Sequence, residues 1–181
     1  MAPLTVAVTG GIGAGKSAAL AAFARRGVPT LSADHVVHRL IGEDPEVRAA
    51  LEERLGTTDR AGIAAVVFAD REQLDWLEAL LHPRVRREQE AWLAGLDVEV
   101  AAIEIPLLFE TGGEERFDAV VVITAPAHVR AGRTGRANDA RAARLLTDAE
   151  KVSRADFAYV NDGTLDELDA FVGQVLDRLI G

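Results

Sequence analysis

A short stretch near the beginning of the sequence, "VTGGIGAGKS" at residues 8–17, combines four glycines with a lysine and a serine. Its spacing satisfies the pattern G-x-x-x-x-G-K-[ST], and it lies between an apolar run and a helical pattern, as that motif requires. Glycines leave room for several backbone N–H groups to approach the oxygens of a phosphate at the same time. The stretch therefore predicts a loop that binds the phosphates of a nucleotide. A glycine-rich turn with a chance lysine is the alternative.

Each residue type in this loop has a chemical task. Gly11, Gly13 and Gly15 keep the backbone accessible, and the helix that follows adds the positive end of its dipole. Lys16 can bring a full positive charge to the β- and γ-phosphate oxygens, which makes it a candidate catalytic residue, and the Ser17 hydroxyl can bind Mg²⁺. The predicted contacts to ATP are Gly11, Ile12, Gly13, Ala14, Gly15, Lys16, Ser17 and Ala18.

The elements around the loop must hold it at the edge of a sheet. "LTVAVTG" is a continuous apolar run, typical of a strand that is buried on both faces of a parallel sheet. Four further runs, "VPTLS", "VEVAAIEI", "FDAVVVIT" and "FAYVN", are separated by segments of mainly helical character. Alternating strands and helices imply crossover connections. The sequence therefore predicts a three-layer α/β fold with a five-stranded parallel sheet.

The segments between the strands are predicted to be mainly helical. Residues 33–55 read as two helices separated by "GEDP", and residues 59–96 read as a helical region with breaks near Asp70 and at His82–Pro83. The segment that begins at Thr164 has a threonine cap and apolar helical spacing, so we expect it to pack on the sheet.

Composition restricts the function classes. A chain of 181 residues with 49% hydrophobic content can bury one substantial core, so we expect a single domain over residues 1–181. A net charge of −9 argues against broad binding of nucleic acid, which needs a basic surface. Cysteine is absent, no apolar stretch reaches the roughly 18 residues that span a bilayer, and the N-terminus lacks a signal peptide pattern. We therefore expect a cytoplasmic protein that does not bind membranes, of open oligomeric state.

The phosphate loop alone is compatible with several kinds of protein. A guanine-reading N-K-x-D stretch is absent, and so is the H-R-D catalytic loop of protein kinases. The size favours a small-molecule kinase over an ATPase that drives motion. A nucleotide-binding module without chemistry is a further class.

Five segments in chain order resemble the motifs of the dephospho-CoA kinase family: "VTGGIGAGKS", "SADHVVHRL", "VVFADREQLDWLEALLHPRV", "IEIPLLFETG" and "RADFAYVNDGTLDEL". The resemblance implies transfer of the γ-phosphate of ATP to the ribose 3′-hydroxyl of dephospho-CoA, with Mg²⁺, in the last step of coenzyme A synthesis. It also implies a P-loop kinase core, a helical acceptor-binding region at about residues 35–95 and a short lid at about residues 127–150.

The resemblance makes Asp34 the catalytic base. Asp34 follows the second strand, at the carboxyl edge of the sheet where α/β proteins bind ligands. A carboxylate there can accept the proton of a ribose hydroxyl. The family has a D-A-D stretch at this point, and Ser32 replaces its first aspartate. The alternative is that Asp34 only caps the following helix.

Metal and acceptor contacts are also implied by the resemblance. Glu104 lies near the end of the third strand, where P-loop proteins hold an acidic residue that orients the water shell of Mg²⁺, so Glu104 and Ser17 are the predicted metal site. For His82 the alternative to an acceptor contact is a structural role, and for Leu107 and Leu108 it is a buried packing loop. The predicted acceptor contacts are Asp34, His82, Pro83, Leu107, Leu108 and Glu110.

Two further groups complete the predicted site. Arg130, Arg133 and Arg136 recur every third residue, and by position Arg136 best matches the lid arginine of the family, which would neutralise transition-state charge. Exposed arginines on a solvated helix are the alternative. Asn161 and Gly163 match the N-x-G of the family and are predicted to contact ATP at the adenine, although a turn explains the same residues.

The sequence departs from the family pattern in the lid. The stretch between Arg136 and the last strand is shorter than in the family, and a glutamine usual near Leu145 is missing. Ala18 stands where a threonine often follows the loop serine. A kinase for another small hydroxyl acceptor and a nucleotide-binding protein that has lost turnover therefore remain alternatives.

Overall fold

The computed structural model describes residues 2–134 and 146–181. Within them five strands form one sheet in the order β2-β3-β1-β4-β5, and every neighbouring pair is parallel. The strands are β1 (Leu4–Gly10), β2 (Thr30–Ser32), β3 (Val100–Glu104), β4 (Ala119–Thr124) and β5 (Phe157–Val160). The predicted five-stranded parallel sheet is confirmed.

The sheet is buried because its central strands are apolar on both faces. Every residue of β3 and β4 is buried, as expected for strands that are covered by other layers on both sides. Helices α1 (Lys16–Arg25) and α8 (Leu165–Ile180) pack on one face, where Phe23 and Leu168 join the core. On the other face, Leu108 and Phe109 pack against strand residues. These two cores fix the ends of β1 and β3, from which the loops of the site begin.

Helix α8 begins at the threonine that the sequence predicted as its cap. The Thr164 hydroxyl accepts a hydrogen bond from the Glu167 N–H at 3.2 Å, and the Glu167 carboxylate accepts one from the Thr164 N–H at 2.7 Å. Such a reciprocal pair satisfies backbone donors that the first helical turn leaves open. The bonds from Thr164 also lower the pKa of Glu167. Two shorter helices, α6 (Ala127–Thr134) and α7 (Asp148–Ser153), lie between β4 and β5 in the chain.

A second compact unit, Ala33–Gly95, is helical, and we call it the helical unit; the remainder, which contains the sheet, is the sheet unit. Three of the four helices of the helical unit begin where aspartate side chains accept hydrogen bonds from first-turn N–H groups, at Asp44, Asp59 and Asp70. Its helices are α2 (Ala33–Glu43), α3 (Pro45–Leu55), α4 (Arg60–Ala69) and α5 (Arg71–Ala94). The breaks expected at "GEDP" and near Asp70 are therefore confirmed.

The break expected at His82–Pro83 is wrong, because α5 continues through Pro83 to Ala94. A proline inside a helix removes one N–H donor and leaves the carbonyl four residues earlier without its usual partner. Here Arg84 Nη1 donates to Leu80 O at 2.9 Å and so serves the carbonyl next to this gap. The apolar face of the helix stays buried on both sides of the proline, at Leu77, Leu81 and Val85. Burial of that face therefore outweighs the local cost of the proline.

Over the ranges that the structure describes, no helix combines the length and the apolar character needed to cross a membrane.

Candidate active site

Residues 11–15 form the loop between β1 and α1, the strand and the helix that the sequence predicted on either side of it. Gly15, directly before α1, has φ 100°, which an L-residue with a side chain rarely adopts. A Cβ on Gly15 would overlap the side-chain amide nitrogen of Asn161, and a Cβ on Gly10 would overlap the carbonyl oxygen of Ile123. Glycine is therefore required at both ends of the loop by backbone conformation and by space.

The carbonyl groups of the loop are largely occupied by donors from the protein. Lys16 Nζ donates to Gly10 O and to Gly11 O, both at 3.2 Å. The N–H groups of Ala18 and Ala19 both donate to Gly15 O at 3.1 Å. These contacts hold the loop against the first turn of α1.

Several N–H groups of the loop remain open. Those of Gly13, Gly15 and Ser17 have no hydrogen-bond acceptor among residues 2–134 and 146–181. The first N–H groups of a helix point out of its N-terminus, and the helix dipole favours negative charge there. Together with the Lys16 ammonium, these donors form a site for an anionic group of the size of a phosphate.

Asn161 and Arg133 hold the loop from its outer side. The buried Asn161 amide donates to Ala14 O at 2.8 Å. The Arg133 guanidinium donates to Ala14 O at 3.1 Å, to Gly13 O at 3.3 Å and to Asn161 O at 3.3 Å. The Asn161 side chain thus fastens the loop to the end of β5, a role distinct from the predicted adenine contact.

Arg130 lies over the beginning of the loop. A Cβ on Gly11 would come within 2.8 Å of its guanidinium nitrogen Nη1. The same nitrogen is 3.1 Å from Asp148 Oδ2, so an ion pair links α6 to α7 above Gly11. Three cationic side chains, those of Lys16, Arg130 and Arg133, therefore contact or border the loop.

The two predicted metal ligands have donor chemistry that suits Mg²⁺, which prefers hard oxygen ligands and keeps several waters. Glu104 ends β3, in register with Val8 of β1, and is only 7% exposed. Ser17 is exposed in the first turn of α1. No cluster of three or more acidic or histidine side chains that could hold a metal occurs in the part of the chain that the structure describes. A metal at this site would therefore need ligands from phosphate and water as well.

Beyond β3, the structure separates the residues predicted to contact the acceptor. Leu107 is 37% exposed, whereas Leu108 is fully buried against the sheet. The Glu110 carboxylate lies 2.8 Å from the Lys151 ammonium. Leu107 is thus accessible to a ligand, while Leu108 and Glu110 already have contacts within the protein.

The other predicted acceptor residues belong to the helical unit. Asp34 is the second residue of α2 and is exposed. Its carboxylate accepts no hydrogen bond from the N–H groups of residues 33–37, all of which the structure describes, so the capping alternative has no support. In α5, His82 is half-buried and Pro83 is exposed.

The predictions for Arg136 and Gly163 have different outcomes. Arg136 lies outside the described residues, so its lid role stays a prediction. Gly163 is exposed, and a Cβ there would overlap the Glu167 carboxylate that completes the cap of α8. Space for this cap accounts for a glycine at position 163.

Tyr159, two residues before Asn161, packs against α8. Its ring stacks on Phe171 with 4.9 Å between centroids. Burial raises the pKa of Tyr159, and the charges of Glu167 and Asp162 raise it further. Tyr159 therefore supports the end of β5 through this packing.

Sequence reasoning missed three contacts of this region. Arg133 was considered only as a lid or surface residue, and nothing local to its position indicates that it binds loop carbonyls. Asp148 forms its ion pair across a gap of 18 positions, which no periodicity reveals. Lys151 did leave a signal, because it is one of only two lysines in the chain.

The fold and the loop define the class of this protein. The structure is similar to that of shikimate kinase from Acinetobacter baumannii, with a TM-score of 0.58 and 16% identity over 98% of this chain and 93% of that one. At this identity the likeness concerns the fold. A parallel sheet with a glycine-rich phosphate loop between its central strand and the next helix is the fold of the P-loop kinases.

Comparison of the sequence then gives the family. The family model for dephospho-CoA kinase matches residues 4–167, and the chain belongs to this family. A dephospho-CoA kinase from Mesorhizobium japonicum is 40% identical over 98% of both chains, and one from Brucella melitensis is 37% identical over 98% of this chain and 96% of its own. The crystal structure of TT1252 from Thermus thermophilus covers 100% of both chains with a TM-score of 0.85 and 34% identity. The resemblance of the five motifs is thus confirmed.

We predict that Gly15→Ala weakens ATP binding at least about tenfold while the protein stays folded. The left-handed backbone costs roughly 1–2 kcal/mol with a side chain, and the Cβ would also displace the Asn161 amide. The measurement is the ATP dissociation constant by titration calorimetry, together with circular dichroism.

The matched control is Gly42→Ala, in helix α2, where a Cβ would meet no atom within 4 Å. It should leave ATP affinity unchanged. Wild-type affinity in Gly15→Ala would contradict the account of the loop.

Proposed function

We propose that this protein transfers the γ-phosphate of ATP to the 3′-hydroxyl of the ribose of dephospho-CoA, forming coenzyme A and ADP. The observation that carries the proposal is membership of the dephospho-CoA kinase family over nearly the whole chain. The open N–H groups of the phosphate loop supply the binding chemistry that such a transfer needs. Neither of the alternatives that the sequence left open has support from a comparable observation.

The loop binds the β- and γ-phosphates of ATP in this proposal. The N–H groups of Gly13, Gly15 and Ser17 donate to phosphate oxygens, and Lys16 turns its ammonium from the carbonyls of Gly10 and Gly11 toward the same oxygens. Phosphoryl transfer is catalysed mainly by positioning and by stabilisation of negative charge. Lys16 therefore acts as a catalytic residue.

Mg²⁺ fits the oxygen donors at this edge of the sheet. Ser17 is the candidate direct ligand, and Glu104 is the candidate acceptor for the water shell of the ion. The ion would neutralise charge on the phosphates when it is bound. The buried position of Glu104 at the end of β3 supports this role, because a carboxylate there is held in one place.

Asp34 is the proposed catalytic base. The chain ties it to the end of β2, two residues after Ser32, and its carboxylate is exposed and not engaged as a helix cap. In the reaction the carboxylate accepts the proton of the 3′-hydroxyl, the oxygen forms a bond to the γ-phosphorus, and the bond from that phosphorus to ADP breaks.

Leu107, His82 and Pro83 are the proposed acceptor contacts, and the buried Leu108 and Glu110 would act by holding Leu107. Asn161 acts on the nucleotide through the loop that it fastens. A contribution of Arg136 to charge stabilisation and a cytoplasmic location remain predictions.

The proposed function is tested by comparing acceptors. Release of ADP is measured with dephospho-CoA, adenosine, shikimate and gluconate at saturating ATP and Mg²⁺. We expect kcat/KM for dephospho-CoA to exceed that of the others by about 10²-fold or more, because a site built for one acceptor leaves its polar groups unpaired with another. A different preferred acceptor would contradict the proposal, and ATP binding without turnover of any of them would favour a nucleotide-binding protein.

We predict that Asp34→Asn lowers kcat by about 10²–10⁴-fold, because the amide keeps the shape but not the basicity of the carboxylate. The KM for ATP should change little, since the loop is intact. Steady-state kinetics with both substrates and the melting temperature are measured on the same preparation.

The matched control is Asp59→Asn in the same helical unit, where the side chain caps α4. Asparagine caps a helix about as well as aspartate, so this variant should keep wild-type activity. An Asp34→Asn variant as active as the control would refute the role of the base.

A further inference from the structure

Lys151 is a buried cation outside the phosphate loop, and lysine is a rare residue type in this chain. Of 20 basic residues, only Lys16 and Lys151 are lysines, and the others are arginines. Lys16 is half-buried, and its ammonium contacts the carbonyls of Gly10 and Gly11. Lys151 is only 1% exposed, so its surroundings leave room for a compact ammonium rather than a planar guanidinium.

The partner of Lys151 is Glu110. The ammonium Nζ lies 2.8 Å from Glu110 Oε1, and the glutamate side chain is 14% exposed. The contact is an ion pair without hydrogen-bond alignment, since Nζ has no well-aligned acceptor within the residues that the structure describes. Such a pair gains little stability over apolar residues of similar volume, because both charges lose their hydration. A contribution to folding stability alone therefore does not explain the Lys151–Glu110 pair.

The pair connects two segments that border the phosphate site. Glu110 belongs to the stretch that follows Glu104, the proposed acceptor for the Mg²⁺ water shell. Lys151 lies in α7, in the segment that returns from the proposed lid. The same oxygen, Glu110 Oε1, also accepts the Leu146 N–H at 3.2 Å, so one carboxylate oxygen holds both Lys151 and the chain just before α7.

Glu110 and Leu107 belong to one hydrogen-bonded turn. The Thr111 N–H and hydroxyl donate to Leu107 O at 3.2 and 2.8 Å, so the turn closes around Glu110. Leu108, within this turn, is buried against the sheet, whereas Leu107 is exposed. A shift at Glu110 would therefore be transmitted through the turn to the exposed Leu107.

We propose that Lys151 is a positioning residue for phosphoryl transfer. Through Glu110 it fixes the turn that carries Leu107, and it joins this turn to α7. The inference rests on the proposed function, since Leu107, which it positions, is a proposed contact of dephospho-CoA. Lys151 itself contacts neither substrate in this proposal.

The test removes both charges and keeps the remaining contacts. In the double variant Lys151→Met, Glu110→Gln, the new amide oxygen can still accept the Leu146 N–H, and no buried charge is left without a partner. The melting temperature should stay within a few degrees of wild type. We expect kcat to fall at least about tenfold, because small displacements of positioned groups cost large factors in rate. The KM for ATP should not change, while the KM for dephospho-CoA should rise.

A second variant guards against failure of the first to fold. Lys151→Met alone leaves the Glu110 carboxylate, which is 14% exposed and still accepts the Leu146 N–H, and it should show the same split, with a lower kcat and an unchanged KM for ATP. The control is an exposed pair of the helical unit, in the double variant Arg71→Met, Asp75→Asn, whose wild-type side chains lie 2.7 Å apart. It should keep wild-type kinetics.

Folded variants with kcat within twofold of wild type would overturn the positioning role, and so would a fall in kcat that only follows a lower melting temperature. Failure of the proposed function can be distinguished from failure of the positioning role. In the first case the wild-type protein itself would not phosphorylate dephospho-CoA, and that result would overturn both proposals.

Discussion

The site depends on an asymmetry in the backbone of the phosphate loop. Its carbonyl oxygens accept hydrogen bonds from side chains of the protein. Lys16 donates to the carbonyls of Gly10 and Gly11. Arg133 donates to those of Gly13 and Ala14, and Asn161 also donates to that of Ala14. Its N–H groups at Gly13, Gly15 and Ser17 have no such partners in the described ranges. Because the carbonyls are occupied, the backbone of the loop is held in place, and the donors that remain are available to an anion.

This asymmetry explains why distant elements matter to a loop of five residues. β1 and β4 set its beginning, where Gly10 lies against the Ile123 carbonyl. The end of β5 brings Asn161 to Ala14, and α6 brings Arg133. On the neighbouring strand β3, Glu104 is placed by register with Val8. A parallel sheet brings the carboxyl ends of all these strands to one edge. The same arrangement therefore supplies the hydrogen-bond partners of the loop and places the Glu104 carboxylate.

The sequence predicted those features that follow from local pattern. Continuous apolar runs indicated the parallel sheet, and the glycine spacing indicated a loop between β1 and α1, while the left-handed conformation of Gly15 was visible only in the structure. Local sequence pattern failed where tertiary packing determines the structure. The proline predicted a helix break, but α5 continues through Pro83 because its apolar face stays buried. The contacts of Arg133 and Asn161 join residues more than a hundred positions from the loop, and no periodicity indicates them. Leu108 and Leu107 are adjacent and of one type, so only the structure separates the buried side chain from the exposed one.

The most direct measurement of the central claim follows the phosphate itself. ATP that carries ¹⁸O on its γ-phosphorus is incubated with the protein, Mg²⁺ and dephospho-CoA, and the products are analysed by ³¹P NMR. The account predicts a new phosphomonoester at the ribose 3′ position that shows the isotope shift, with one ADP formed for each. Label that appears only in inorganic phosphate, or on a different hydroxyl of the acceptor, would contradict it.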